Sequence, residues 1–354
     1  MFDTRGSASG GMAPSGSPVI GWDIGGAHLK AAWAEDGRLR DAVQVPCRLW
    51  QGLGELDTAL TTVLERLPAD ADHVVTMTGE LVDLFEDRTQ GVHTLIDRIA
   101  AAVPPGRLRV YAGRRGLLSP QEARGQVMDV ASANWMATAA VAAKRLPAAL
   151  LIDMGSTTTD IVPVCCGAVV ARGVTDHDRM AVEELLYTGL TRTAVMAMER
   201  TALVAGERLP MMAEYFATSA DLYRVLGRLD EAADQHPAAD NGQKTVEASL
   251  RRLARMVGHD AGDYDPAVWR AMAGDLVERQ LRRIHDAASR VLSAGAPPMP
   301  QDAPVVGAGV GRAVVKEVAA RLGRPYLDFC DVVGAPGLGW VASCAPAAAM
   351  ALLG

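Results

Sequence analysis

The residues of this chain best suited to chemistry sit in two acidic, glycine-bearing turns, Asp23-Ile-Gly25-Gly26 and Asp153-Met-Gly155-Ser156-Thr157-Thr158-Thr-Asp160. Each turn lies between apolar runs, Val19-Ile-Gly-Trp and Leu29 onward for the first, Leu150-Leu-Ile and Ile161-Val-Pro-Val164 for the second. Both therefore read as a buried strand ending in Asp, a tight turn and a returning strand. Gly25, Gly26 and Gly155 let the backbone approach a ligand closely and gather turn N–H groups on one space. Such a nest of donors favours an anion, phosphate above all. An Asp at each strand tip adds a hard oxygen ligand suited to Mg²⁺, which takes one or two carboxylates together with phosphate oxygens and water. Singly, each turn is equally an ordinary hairpin. Two of them in matching contexts, about 130 residues apart, predict related half-domains facing each other across a ligand cleft.

His28 and Lys30 lie two apart beyond the first turn, so on a strand their side chains share a face. Facing the cleft, Lys30 neutralises a phosphate and His28 binds it or shuttles a proton; facing outward, both are surface residues. In the second turn Ser156, Thr157 and Thr158 offer hydroxyl and backbone donors to phosphate oxygens, and Asp160 orients a water on the metal. Asp23, Asp153 and Asp160 are thus the candidate metal set. The threonines equally suit a returning β-strand. Three His-Asp pairs, at 177–178, 259–260 and 285–286, lack the framework of a metal phosphohydrolase and read as solvated or capping residues; Asp176-His177-Asp178 follows a strand and points towards the cleft. Val305-Val306 entering Gly307-Ala-Gly309-Val-Gly311, then a helix and Asp328, imitates a dinucleotide fingerprint. The stretch after Asp328 is too short to complete such a domain.

At these residues the sequence resembles the actin, sugar kinase and Hsp70 superfamily, and within it the hydantoinase/oxoprolinase branch. It is most similar to the methanofuran-biosynthesis synthase group of tetrahydromethanopterin-linked one-carbon metabolism. The resemblance is carried by Gly-Trp-Asp-Ile-Gly-Gly at 21–26, Thr-Met-Thr-Gly-Glu-Leu at 76–81, Ala-Asn-Trp at 133–135, Tyr-Thr-Gly at 187–189 and Ala-Glu-Tyr-Phe-Ala-Thr at 213–218. It implies an α/β fold of two actin-like (ribonuclease H-like) half-domains around a central cleft, with a helical insertion in the second. In that superfamily the Gly307 and Gly309 turn resembles the adenosine-side loop. The resemblance implies a transferase that joins a furan diphosphate to the phenol oxygen of tyramine, γ-glutamyltyramine or tyrosine and releases diphosphate. Asp23, Asp153, Lys30 and His28 would carry the reaction, with Mg²⁺ and without a requirement for ATP. His28 stands where kinases of the superfamily carry a small hydroxyl residue, which weakens the case for ATP phosphotransfer. An ATP-dependent kinase or cyclic-amide hydrolase of the same fold, and a non-catalytic nucleotide-binding scaffold, are the alternatives.

The whole chain fits this frame. With 354 residues, 49% of them hydrophobic, it is long enough for two domains and a sizeable core. A net charge of −7 argues against a general nucleic-acid surface, and the basic runs Arg251-Arg252 and Arg282-Arg283 read as solvated helix faces. Five cysteines without a C-x-x-C pair suggest a reducing cytoplasm, and the last apolar stretch is too short to span a membrane. Residues 1–17 read as a disordered arm, 18–147 as the first half and 148–354 as the second. Expected in the first half are a strand over 38–45, a helix over 53–67, a strand over 74–77, a short helix over 81–85 whose preceding Glu80 touches substrate or metal or caps the helix, and a helix over 132–144 opened by Ser132 or Asn134. The second half is expected to hold a strand over 168–174 and, over about 180–298, helices with almost no strand. The clearest of these has an apolar stripe from Val268 to Val291 and the pairs Glu278–Arg282 and Asp286–Arg290. That block is a substrate wall or lid, or a homo-oligomer interface. A closing helix spans 338–353.

Overall fold

The computed structural model describes residues 16–295 and 298–354, so most of the expected arm over 1–17 lies outside the described residues. Two mixed six-stranded sheets repeat one plan. The first comprises β1 (Val19–Ile24), β2 (His28–Glu35), β3 (Arg38–Pro46), β4 (Asp72–Met77), β5 (Leu108–Tyr111) and β6 (Leu117–Leu118), in the order β3-β2-β1-β4-β5-β6. The second comprises β7 (Ala148–Met154), β8 (Thr159–Cys165), β9 (Ala168–Val169), β10 (Leu185–Leu186), β13 (Val305–Ala308) and β14 (Tyr326–Asp328), in the order β10-β8-β7-β13-β14 with β9 on β8. In each sheet the Asp-bearing strand runs antiparallel to its hairpin partner and parallel to the next strand, β1 between β2 and β4, β7 between β8 and β13. Central strands covered on both faces need near-continuous apolar runs, and β1 and β7 are buried along almost their whole length.

Three apolar clusters hold the halves. One fills the first half under the Leu53–Leu64 and Arg88–Ala102 helices, and one fills the second around the Pro266–Ser293 helix. The third joins them and is rich in alanine. Its centre is an exchange of helices. The Asn134–Arg145 helix, which ends the first half in sequence, packs on β7, β8 and β9, whereas the Ala345–Leu353 helix packs on β1, β2 and β4, and the two helices touch. The expected closing helix over 338–353 is thus two helices, Gly339–Ser343 and Ala345–Leu353, and the second of them serves the first sheet. This approach is possible because β1 has glycine at position 21. A β-carbon there would collide with the Ala347 carbonyl and the Ala351 amide.

Several expectations are corrected. No α-helix forms over Leu81–Phe85; a 3-10 turn over Gly79–Leu81 follows β4, and Glu80 is buried rather than capping. Ala133, without a side-chain cap, opens the 134–145 helix, because Ser132 adopts a left-handed backbone with φ 52°. The strand expected over 168–174 is only β9. The block over 180–298 contains β10 and a hairpin of β11 (Thr201–Val204) and β12 (Glu207–Pro210). The stripe of the long helix packs on this hairpin, on β8 and on the Ser219–Val225 helix, so the chain itself covers it. Its charged residues pair differently from the expected spacing: Glu278 with Arg321, Arg282 with Asp286, and Arg290 with Glu183. Arg252 is no surface residue. It is fully buried and bonded to Asp221 at 3.0 Å and to Asp240 at 2.9 Å.

Two predictions follow from this packing. Gly21→Ala should lower unfolding stability by about 1–3 kcal/mol or more, as overpacking against fixed backbone does, measured by denaturant titration; an unchanged midpoint would mean that the 345–353 helix does not sit on β1. Between β1 and β4, Trp22 Nε1 donates to His73 Nδ1 at 3.0 Å, and burial above all holds the His73 pKa down to about 4. An unfolded histidine titrates near 6.5, so the unfolded chain takes up the extra proton first as pH falls. The stability His73 contributes is full above about pH 6.5 and is lost as pH drops towards 4. His73→Gln, which keeps an acceptor for Trp22, should flatten the decline of the thermal midpoint over that window.

Candidate functional site

Both acidic turns close in the same way, Gly25 N–H donating to the His28 carbonyl at 3.0 Å and Gly155 N–H to the Thr158 carbonyl at 2.9 Å. Across β1–β2 the partner of Asp23 is Lys30, and across β7–β8 the partner of Asp153 is Asp160. One register position thus carries a cation in the first half and a carboxylate in the second. Among the described residues, the backbone N–H groups of Gly26, Ala27, Ser156 and Thr157 make no hydrogen bond within the protein. They are available to an anion, as a nest requires.

The two turns face one cavity of about 290 Å³. Asp23, Gly25, Gly26, His28, Lys30, Gly155, Ser156, Thr157, Thr158 and Asp160 all line it. His28 and Lys30 therefore do share the inward face. Asp153 is not part of this lining, but its carboxyl stands close enough to feel Lys30, Asp160 and Asp23. The Gly307 and Gly309 turn also stays outside the lining. The Tyr326 ring fills the space beside Gly307, and Gly309, at φ +80°, lets the turn pass where a β-carbon would collide with the Met154 carbonyl and the Asp153 carboxylate. The immediate role of Gly309 is to seat that turn against Asp153.

Lys30 stands between the acidic groups of the two turns. Burial opposes its ammonium form, but Asp23 and Asp153 outweigh it and hold the pKa above the ordinary value. The Lys30 Nζ to Asp23 Oδ2 distance is 3.3 Å, while Asp23 Oδ1 is buried and has no partner. Burial pushes the Asp153 carboxyl up to about 7 against the pull of Lys30. Asp160 is also raised by burial, and Arg179, donating to its Oδ1 at 2.7 Å, opposes the rise. His28 is 4% exposed, its Nε2 has no partner, and burial with its neighbours His236, Lys30 and Arg192 keeps the ring neutral. Among the described residues no group of three His, Cys, Asp or Glu stands together as a metal cage. An ion here would need ligands beyond the protein, as Mg²⁺ beside phosphate usually has.

Several residues of the cavity and its support escape sequence reading, although Asp176 does not. Arg179 is fully buried, stacked 4.0 Å from the Trp135 ring, and anchors Asp160. Asp176 does reach the cavity and accepts from Arg88, and the Ser132 hydroxyl stands between Asp176 Oδ2 at 3.1 Å and the buried Glu80 Oε1 at 2.9 Å, with one proton for the two. Arg192 donates to Thr157 Oγ1 at 3.1 Å from a loop stapled to the second turn, where the Leu190 and Arg192 N–H groups bond the Gly155 and Ser156 carbonyls. Gly189 permits that seat, since a β-carbon would lie 2.5 Å from the Thr157 nitrogen. The only local signal was the Tyr-Thr-Gly at 187–189, which marks this loop without naming the arginine.

The hydantoinase/oxoprolinase family model matches residues 72–350. The chain belongs to the hydantoinase/oxoprolinase family. The match begins at β4, so the β1–β2 hairpin precedes the matched residues. Over 245 residues, 68% of this chain and 72% of the relative, this family member is 31% identical to the (4-{4-[2-(gamma-L-glutamylamino)ethyl]phenoxymethyl}furan-2-yl)methanamine synthase of Methanocaldococcus jannaschii. A synthase of the same name from Methanococcus vannielii is 32% identical over 111 residues, 31% of this chain and 50% of that one. Among solved structures, nucleotide-free acetone carboxylase aligns with a TM-score of 0.56 over 95% of this chain and 70% of its own, at 11% identity. That likeness shows the fold, the actin-like arrangement of two related halves about a cleft.

The Lys30 cluster gives a direct check. Lys30→Met leaves the Asp23 carboxylate buried without its cation, a change that costs about 3–5 kcal/mol in buried pairs. A denaturant titration should show that loss, with part of it recovered in Lys30→Met/Asp23→Asn; no loss would mean that the pair is solvated.

Proposed function

We propose that this protein is a diphosphate-releasing ether synthase of methanofuran or methylofuran biosynthesis. It joins (5-(aminomethyl)furan-3-yl)methyl diphosphate to the phenol oxygen of tyramine, γ-glutamyltyramine or tyrosine. The observation that carries the reading is the pair of facing anion nests with Lys30 between two carboxylates. The name of the Methanocaldococcus relative supports it, since that name describes an aryl ether between a phenol and a furanylmethyl carbon.

The free N–H groups of Gly26, Ala27, Ser156 and Thr157, with the Thr157 and Thr158 hydroxyls, bind the diphosphate oxygens. Lys30 neutralises the charge that grows on the leaving group as the carbon–oxygen bond breaks. The unpartnered Asp23 Oδ1 and the buried Asp153 carboxyl fit a hard divalent cation, and Asp160, already held by Arg179, orients a water beside it. Mg²⁺, when bound, adds further charge neutralisation to the diphosphate. A furan ring delocalises positive charge at its methylene carbon, so bond breaking runs ahead of bond making. The phenol oxygen then becomes acidic as it bonds carbon, and a weak neutral base such as His28 suffices to take its proton. ATP has no part in this scheme. Five unpaired thiols support a reducing, cytoplasmic setting, and among the described residues no helix is long and apolar enough to cross a membrane.

The test is a discontinuous assay with Mg²⁺, the furan diphosphate and each phenol, with and without ATP, followed by mass spectrometry and diphosphate release. Ether should form without ATP and fall by roughly 100-fold or more in Asp153→Asn and Asp23→Asn, the scale of losing one transition-state charge contact. ATP turnover without ether would sink the proposal and favour a kinase or amidohydrolase.

A further inference from the structure

Beyond Arg192 lies a second cavity of about 220 Å³, smaller than the roughly 300–1,000 Å³ of pockets for drug-sized ligands and suited to a single-ring molecule. Arg192 belongs to the walls of both cavities. The rest of the partition is a pair of imidazoles: His28 lines the first cavity, His236 the second, and their rings meet edge to face at 4.6 Å. Both are more than nine-tenths buried; His28 Nε2 has no hydrogen-bond partner, and His236 has no side-chain partner, with only the Ala27 backbone carbonyl near its ring. Buried polar nitrogens are normally satisfied, and leaving them bare is costly, so this partition is built to meet a polar atom that arrives with a ligand.

The other walls say what kind of ligand. Trp50 and Tyr215 are large aromatics left 40% and 50% exposed at the cavity, and the Arg192 guanidinium lies 4.9 Å over the Trp50 ring. Among the described residues no carboxylate pairs with Arg192, and the one hydrogen bond of its guanidinium goes to Thr157 of the second turn. The floor is charged and ordered: Arg224 binds Asp234 at 2.6 Å and Glu231 at 2.8 Å. Aromatic walls, a polar partition on one side and a charged floor on the other match an aromatic ring with a hydroxyl at one end and a short charged tail at the other.

We infer that this second chamber is the acceptor subsite, which holds a single-ring phenol with its hydroxyl at the His28–His236 partition and its tail on the Arg224–Asp234 floor. The inference rests on the ether-synthase reading for the reaction, but not for the binding. In the reaction the phenol oxygen bonds to the furan methylene carbon, and the bond from that carbon to the diphosphate oxygen breaks with its electron pair leaving on diphosphate. The phenol proton passes to the imidazole pair. Arg192, donating to the nest from one side and standing at the partition on the other, aligns the two substrates.

The test measures binding apart from turnover. Calorimetry with the full chain, Mg²⁺ and inorganic diphosphate present, would titrate tyramine and tyrosine into the wild type, Trp50→Ala and Ala239→Phe; Ala239 lines the chamber and its replacement fills it. Phenol affinity should fall at least tenfold in both variants while inorganic diphosphate affinity stays within twofold. In turnover, KM for the phenol should rise and KM for the furan diphosphate should hold. Phenol binding that survives Ala239→Phe, or falls only together with diphosphate binding, would overturn the subsite whether or not ether is formed. If phenol binding follows the expected pattern but the wild type makes no ether, the subsite stands and the ether-synthase reading falls.

Discussion

The meeting of the two acidic turns depends on one half-buried ammonium group. Lys30 sits on β2 opposite Asp23 and within the field of Asp153, which belongs to the other sheet. Without it, two carboxylates from two half-domains would face each other in a low-dielectric space, and both their ionised forms and the closeness of the halves would be penalised. With it, the halves share a charge. The cleft can then remain narrow while one carboxylate oxygen, Asp23 Oδ1, stays without a protein partner.

Around this charge the duplicated plan is used asymmetrically. The turns have the same closure, yet the residue that closes the first is His28 and the residue in the same place in the second is Thr158. The hydroxyl side suits phosphate, whereas the imidazole side opens towards His236 and the second chamber. Likewise Lys30 and Asp160 occupy one register position, and only Asp160 needs an arginine beneath it. Two copies of one supersecondary unit thus give a hydroxyl-rich wall and a wall with an imidazole partition, from turns that close in the same way.

The turns were legible in the sequence because their chemistry and strand pattern coincide within a dozen residues. Asp23, Gly25, His28 and Lys30 reach the cavity as local alternation requires. What stayed hidden depends on pairing over long separations. Trp50 and His236 meet from loops with no periodicity, and Arg179 is recognisable only once Asp160 and Trp135 stand beside it. The β11–β12 hairpin was missed because its strands are four residues each, and its turn signal, Ala205-Gly206 with both residues at positive φ, was outweighed by the helical segments on either side. Arg252 was misread for a related reason: a basic dipeptide in a helix says nothing of the buried Asp221 from another helix that awaits it.

The exchange of closing helices has a consequence for how the molecule is made. During synthesis β1 appears more than three hundred residues before the Ala345–Leu353 helix that covers it. Until that segment arrives, β1, β2 and β4 lack the helix that covers them, and the glycine at position 21 lacks the backbone that packs on it. Such long-range contacts slow folding, and they make the two halves a single cooperative unit rather than a pair of modules. The nascent protein would be a client for chaperones during that interval, and its binding cleft would come into being in one late step rather than half by half.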